Sequence, residues 1–141
     1  MSDKITILVI EDETHIRRLL EYRLGSEGFE VYSASGGADG LKIARDKRPD
    51  VILLDWLMPE INGLEVLAEL RRDEITKDII VFMLTAKNML DDMETALASG
   101  AHDYITKPFD GAVLGQRIMS MFSAVKKLKE ENVHEIEKVV S

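Results

Sequence analysis

The chain has 141 residues, enough for one domain with a sizeable core. Hydrophobic residues make up 45% and charged residues 31%, and the absence of cysteine excludes disulfides, thiolate metal sites and cysteine nucleophiles. The net charge of −8 argues against a broad nucleic-acid surface, and the opening apolar run, Ile5 to Ile10, is too short for a secretory core or a membrane span. The expectation is a cytoplasmic chain with no membrane insertion and no direct nucleic-acid contact.

In chain order, Ile5 to Ile10 reads as a buried strand. Residues 14 to 25 carry Ile16, Leu19, Leu20 and Leu24 at helical spacing, and Gly25 and Gly28 fit the helix end. Residues 30 to 34 form a weaker strand around Val31 and Tyr32. A short helix with Leu41, Ile43 and Ala44 follows a break at Gly36 and Gly37. Val51 to Leu54 is a third, continuously apolar strand, and a loop with Pro59 and Gly63 leads into a helix marked by Leu64, Leu67 and Leu70. Ile79 to Leu84 is the fourth strand, residues 89 to 99 the next helix, and Asp103 to Thr106 a last short strand. A long helix is predicted from about Asp110.

Continuously apolar strands are buried on both faces, so the pattern predicts an α/β domain with a doubly wound parallel sheet and helices on both sides. In such sheets the site lies at the carboxyl ends of the strands. Glu11 and Asp12 follow strand one and Asp55 strand three. Thr85 and Ala86 follow strand four, and Lys107 and Pro108 follow strand five. A single carboxylate at a strand end is often a turn or cap residue. Carboxylates, a hydroxyl and an ammonium converging on one sheet edge point instead to a site.

These residues resemble those of the receiver family of two-component signalling. The matching segments are Val9 to Glu13, Leu53 to Pro59 with Gly63, Met83 to Ala86, and Ala98 to Phe109, in the family's order and spacing. The resemblance covers roughly residues 4 to 123. It implies five strands in the flavodoxin-like order 2-1-3-4-5, a phosphoacceptor at Asp55, metal ligands at Glu11 and Asp12, and assisting roles for Thr85 and Lys107. It also implies Mg2+ as the ion, the Leu57 carbonyl as a further ligand, a cis Lys107–Pro108 bond, and Tyr104 as the aromatic that reports phosphorylation. The donor would be a cognate histidine kinase or phosphotransfer protein.

The residues suit that chemistry. A carboxylate can accept a phosphoryl group, but both partners are anionic, and a divalent cation relieves the repulsion. Asp12 and Asp55 are the expected direct ligands, with Glu11 acting through a metal-bound water. Lys107, the Thr85 hydroxyl and the Ala86 N–H would hold the phosphoryl oxygens. The output would be a population shift on the face of helix four, strand five and helix five. Trp56, beside Asp55, would report binding by fluorescence. In this family the positions of Leu57 and Lys87 influence water access to the acyl phosphate; neither side chain accepts a hydrogen bond from water, which predicts slow self-dephosphorylation. The expectation is a regulatory phosphoacceptor, not an enzyme acting on an external metabolite. The alternative is a pseudo-receiver that serves only as an interaction or dimerisation module. A flavodoxin-like cofactor binder is disfavoured, because Glu11 to Glu13 would repel a phosphate after strand one.

Residues 1–123 are read as the receiver domain and 124–141 as a helical extension, a possible coiled-coil linker. Phe122, Val125 and Leu128 recur eleven residues on as Val133, Ile136 and Val139, with Val140 beside the last. An exposed apolar stripe of this kind predicts a homodimer through the extended helix. The extension resembles the helices that join receivers to output domains, and an output domain or protein is an expected downstream partner. The end at Val139 to Ser141 leans toward an excised fragment rather than a stand-alone regulator.

Overall fold

The computed structural model describes residues 4–86 and 90–140, with the backbone alone for 90–92 and 133–140. Strands and helices alternate: β1 (Thr6–Ile10), α1 (Thr14–Ser26), β2 (Glu30–Ala34), α2 (Gly37–Lys47), β3 (Val51–Asp55), α3 (Gly63–Arg72), β4 (Ile80–Ala86), α4 (Leu90–Ala98), β5 (Asp103–Lys107) and α5 (Leu114–Val140). The strands pair in parallel in the order β2-β1-β3-β4-β5, which is the predicted doubly wound α/β fold with its long last helix. Among the described residues no helix is long and apolar enough to cross a membrane.

Successive strand residues point to opposite faces, and the sequence supplies apolar side chains to both. Ile7, Val9, Leu53, Phe82 and Leu84 pack with Leu20 and Leu24 of α1 and Leu114 and Ile118 of α5. Leu8, Ile10, Ile52, Leu54 and Met83 pack on the other side with Val66 and Leu67 of α3 and Met93 of α4. Each fully buried aliphatic side chain contributes roughly 1.5–3 kcal/mol. The central strands β1 and β3 are clamped from both faces, and their carboxyl ends are therefore the best-fixed part of the sheet edge.

Most boundaries fall within a residue of expectation, and three departures matter more. β4 runs on through Ala86, because Thr85 pairs with Thr106 and Ala86 with Lys107 across the β4–β5 ladder. Gly37 is not a break but the first residue of α2. The last helix begins at Leu114 rather than near Asp110. The Asp110 side chain accepts from Ala112 N–H at 2.9 Å and its carbonyl from Val113 N–H at 3.2 Å, so these residues form a turn in which aspartate competes with the helix for backbone donors.

α5 has 27 residues, about 40 Å of helix. Phe122 and Val125 of the predicted stripe are partly taken up by the core beneath α5, whereas Leu128 stands 59% exposed. The side chains of Val133, Ile136, Val139 and Val140, and Ser141, lie outside the described residues. The helix keeps contact with the body of the sheet beyond residue 123: Lys129 Nζ donates to the Asp78 carbonyl at 3.0 Å. The carbonyls on either side of it, Lys77 and Ile79, each accept from Arg71 Nη1 at 3.0 Å.

Candidate functional site

The carboxyl edge of the sheet carries the predicted constellation. Glu11 leaves β1 with its N–H bonded to the Ala34 carbonyl at 3.1 Å, and its side chain is fully buried. One carboxylate oxygen accepts from Glu13 N–H at 3.2 Å. The other accepts from Lys107 Nζ at 2.6 Å. Asp55 closes β3 and is only 5% exposed. Its Oδ1 lies 3.0 Å from the same Lys107 Nζ. Lys107 ends β5 and precedes Pro108 through a cis bond, as the family pattern implied.

The loop after β3 is closed by Trp56 N–H on the Leu84 carbonyl at 3.1 Å and Gly63 N–H on the Trp56 carbonyl at 2.9 Å. Asn62 then caps α3, its side chain accepting from Glu65 N–H at 3.0 Å. These bonds place Trp56 and Leu57 at the rim of a cleft of about 400 Å³, which Glu11, Asp12, Asp55, Thr85, Ala86 and Lys107 also line. Thr85 is buried, with its hydroxyl 3.4 Å from the Ala86 carbonyl oxygen.

The electrostatics follow from this packing. Burial is the first cause that pushes the Asp55 carboxyl up to about 7; hydrogen bonding and repulsion from Glu11 add to it, against the pull of Lys107. Burial alone would lower Lys107, but its bonds to Glu11 and Asp55 outweigh that and raise it, so it stays an ammonium. One fixed cation thus faces two buried carboxylates, with Asp12 beside them. Glu11, Asp12 and Asp55 each offer an oxygen within 4.8 Å of the others. An all-oxygen anionic set, whose repulsion at Asp55 Lys107 offsets only in part, fits a hard divalent cation such as Mg2+.

Among the described residues, every one predicted for the site except Tyr104 lines this cleft. Tyr104 is half-buried on β5 and packs against the core on the α3–α4 side, and its carbonyl accepts from Arg117 Nη2 of α5 at 3.2 Å. Leu57 is 62% exposed and presents an apolar side chain at the mouth. Lys87 lies outside the described residues. One participant was missed in the sequence. Arg17 of α1 sends its Nη1 back to the carbonyls of Glu11 and Asp12, at 3.0 and 3.4 Å. Its only sequence signal is a basic residue one turn into the helix that follows the acidic pair.

Comparison with known proteins agrees with this geometry. The sequence matches the response regulator receiver domain family over residues 7–119. The phosphate regulon transcriptional regulatory protein PhoB of Pseudomonas aeruginosa is 40% identical over 116 residues, which cover 82% of this chain and 51% of PhoB. The chain spans about half the length of the curated relatives it matches. Among solved structures, the chemotaxis protein CheY4 of Vibrio cholerae is 28% identical with a TM-score of 0.79, over 84% of this chain and 98% of that one. The receiver domain of a sensor histidine kinase from Pseudomonas aeruginosa PAO1, with a magnesium ion coordinated in its active-site cleft, is 29% identical with a TM-score of 0.76, over 85% of this chain and 98% of that one.

Proposed function

The chain belongs to the response regulator receiver domain family, and on that premise we propose that it is a signalling switch set by transfer of a phosphoryl group from a phosphohistidine donor to Asp55. The observation that carries this is the placement of Lys107 Nζ, 2.6 Å from Glu11 and 3.0 Å from Asp55, in one cleft with Asp12 and Thr85.

The transfer breaks the donor's P–N bond and forms a P–O bond to an Asp55 carboxylate oxygen, leaving the electron pair on the histidine nitrogen. Asp55 must be ionised to attack, and burial with Glu11 works against that. Lys107 opposes the shift by favouring the charged carboxylate, and its ammonium is positioned to meet the incoming phosphoryl oxygens. Glu11, Asp12, Asp55 and the Leu57 carbonyl would hold Mg2+. When bound, the ion supplies the positive charge that offsets repulsion between carboxylate and phosphoryl group. The Thr85 hydroxyl and Ala86 N–H complete the donor set. Drawing Thr85 toward the phosphoryl group would free space for Tyr104 to turn inward, shifting the α4–β5–α5 face. On this reading the chain promotes only its own phosphorylation and slow dephosphorylation, and turns over no external metabolite.

We place the receiver domain at residues 1–123 and the extension at 124–141. A histidine kinase or phosphotransfer protein is the upstream partner, and an output domain or protein the downstream one. Self-association through α5 is part of the same proposal, supported by the exposed Leu128. The decisive experiment is intact mass after incubation with Mg2+ and acetyl phosphate or a cognate kinase. The expected result is one added phosphoryl group, absent in Asp55→Asn. No gain in the wild type with either donor overturns the reading and leaves a phosphorylation-independent module.

A further inference from the structure

The acidic turn after β1 carries the metal-binding reading, and the Glu13 N–H within it holds the Glu11 side chain but not the peptide of Asp12. α1 begins at Thr14, and its N-cap residue, Glu13, makes no side-chain cap. The Glu11 side chain is fixed from two directions, by Lys107 and by Glu13 N–H. Asp12 is the most open of the three carboxylates. What fixes the backbone beneath Asp12 is Arg17. Its Nη1 reaches back over the first turn of α1 and is shared between the carbonyl oxygens of Glu11, at 3.0 Å, and Asp12, at 3.4 Å. The Arg17 backbone N–H bonds the Glu13 carbonyl at 2.9 Å, so carbonyls of three consecutive residues, 11 to 13, are tied to this one arginine.

We infer that Arg17 is a positioning residue for the divalent cation: it locks the peptide planes of Glu11 and Asp12, so that the Asp12 carboxylate stays aimed at Asp55. Peptide orientation sets the direction of Cα–Cβ, and a side chain whose base can rotate must be ordered again at each binding event. Groups that orient metal ligands without touching the ion typically contribute 10–100-fold in affinity. The guanidinium suits this role better than an ammonium, because it is planar, keeps its charge and spreads its donors in a rigid fork. Both carbonyl contacts also keep the cation on the main-chain side of the turn. It therefore orders the carboxylates without forming an ion pair that would compete with the metal.

This inference rests on the proposal that the cleft binds Mg2+, and the test separates the two. Quenching of Trp56 fluorescence, read during Mg2+ titration of the full chain, gives the metal dissociation constant for wild type, Arg17→Met, Arg17→Lys and an Asp12→Asn control. The expected result is a dissociation constant raised about tenfold in Arg17→Met and partly recovered in Arg17→Lys. Thermal unfolding of the metal-free variants should stay close to wild type. The rate of phosphorylation by acetyl phosphate should fall in Arg17→Met at low Mg2+ and return to the wild-type value at saturating Mg2+. A merely structural arginine would lower the rate at every Mg2+ concentration or leave it unchanged. Affinities within twofold of wild type in both variants overturn the inference, as does a rate that saturating Mg2+ fails to restore. If Arg17→Met does not fold, the Arg17→Lys titration alone decides, with wild-type affinity counting against it. A wild type with no Mg2+ response in fluorescence or in thermal stability overturns the metal reading and this inference with it.

Discussion

Gly63 approaches Asp55 so closely that a Cβ at residue 63 would collide with the Asp55 carbonyl oxygen and sit 3.0 Å from both Trp56 Cα and Met83 Cε. The obstacle is mostly backbone, which cannot swing aside as a flexible side chain would. Gly63→Ala is therefore expected to cost about 2–3 kcal/mol in urea unfolding and to slow phosphorylation, because relief of the clash moves Asp55. Wild-type stability and rate in this variant would show that the loop gives way freely.

Lys107→Met leaves Glu11 and Asp55 facing each other in a buried cleft. Loss of one partner from such a buried group costs about 3–5 kcal/mol near pH 8. The sign of the pH dependence follows from Asp55, already raised to about 7 with Lys107 present. Without Lys107 it rises further, so the variant's stability falls as pH rises through that value and recovers toward about pH 5, where the carboxyl takes up a proton. Urea titrations at both pH values check this; a pH-independent deficit contradicts it.

His102 gives an opposite, independent titration. Burial first, then the cations Arg71 and Lys129, hold its imidazole down at about 4 from an ordinary 6.5. The folded state keeps it neutral while the unfolded chain protonates it. Its contribution is full above about pH 6.5 and is lost as pH falls toward about 4. Comparing wild type with His102→Gln across that window should show their difference shrinking by about 1–2 kcal/mol, once solvent screening of this half-buried ring is allowed for. A constant difference would place the ring's pKa near its ordinary value.

Leu57 is 62% exposed at the cleft mouth and offers no hydrogen-bond acceptor to an attacking water. The expected result for Leu57→Asn with Lys87→Glu is a several-fold shorter phosphoryl lifetime, followed by intact mass after removal of the donor. An unchanged lifetime removes these positions as controls of water access.

Self-association of α5 is checked by analytical ultracentrifugation of the full chain and of a chain ending at residue 130. That cut keeps the Lys129 contact with Asp78 and deletes the later repeat positions. The full chain is expected to sediment as a dimer and the shortened one as a monomer. A monomer in both cases ends the proposal.

Much of this was legible in the sequence because it rests on local pattern. Continuous apolar runs such as Val51 to Leu54 disclosed two-sided burial, and Glu11, Asp12, Asp55, Thr85 and Lys107 could be assigned to one edge from strand direction alone. The start of α5 was not legible, because Asp110 fits the first turn of a helix as well as it fits the turn it forms. Long-range choices were also hidden. Thr85 and Ala86 read as residues beyond a strand until Thr106 and Lys107 are seen to pair with them. Phe122 and Val125 read as an outward stripe, but the space beneath α5 takes them in part. The partners of Arg17 depend on a side chain folding back along its own helix, which composition and periodicity do not encode.

The Lys129 contact also has a mechanical meaning. α5 sets out from the sheet edge that bears the cleft, crosses the domain, and is pinned to the Asp78 carbonyl at the opposite edge. About 22 Å of helix lies before that pin and about 16 Å after it. Leu114 and Ile118 are buried and Phe122 and Val125 partly so, so the seating of these side chains on the sheet sets the direction in which the last turns of α5 run. The Lys129 contact adds a second tie, to a loop whose neighbouring carbonyls Arg71 also gathers, so the helix is held at the base of the domain as well as beneath its first turns.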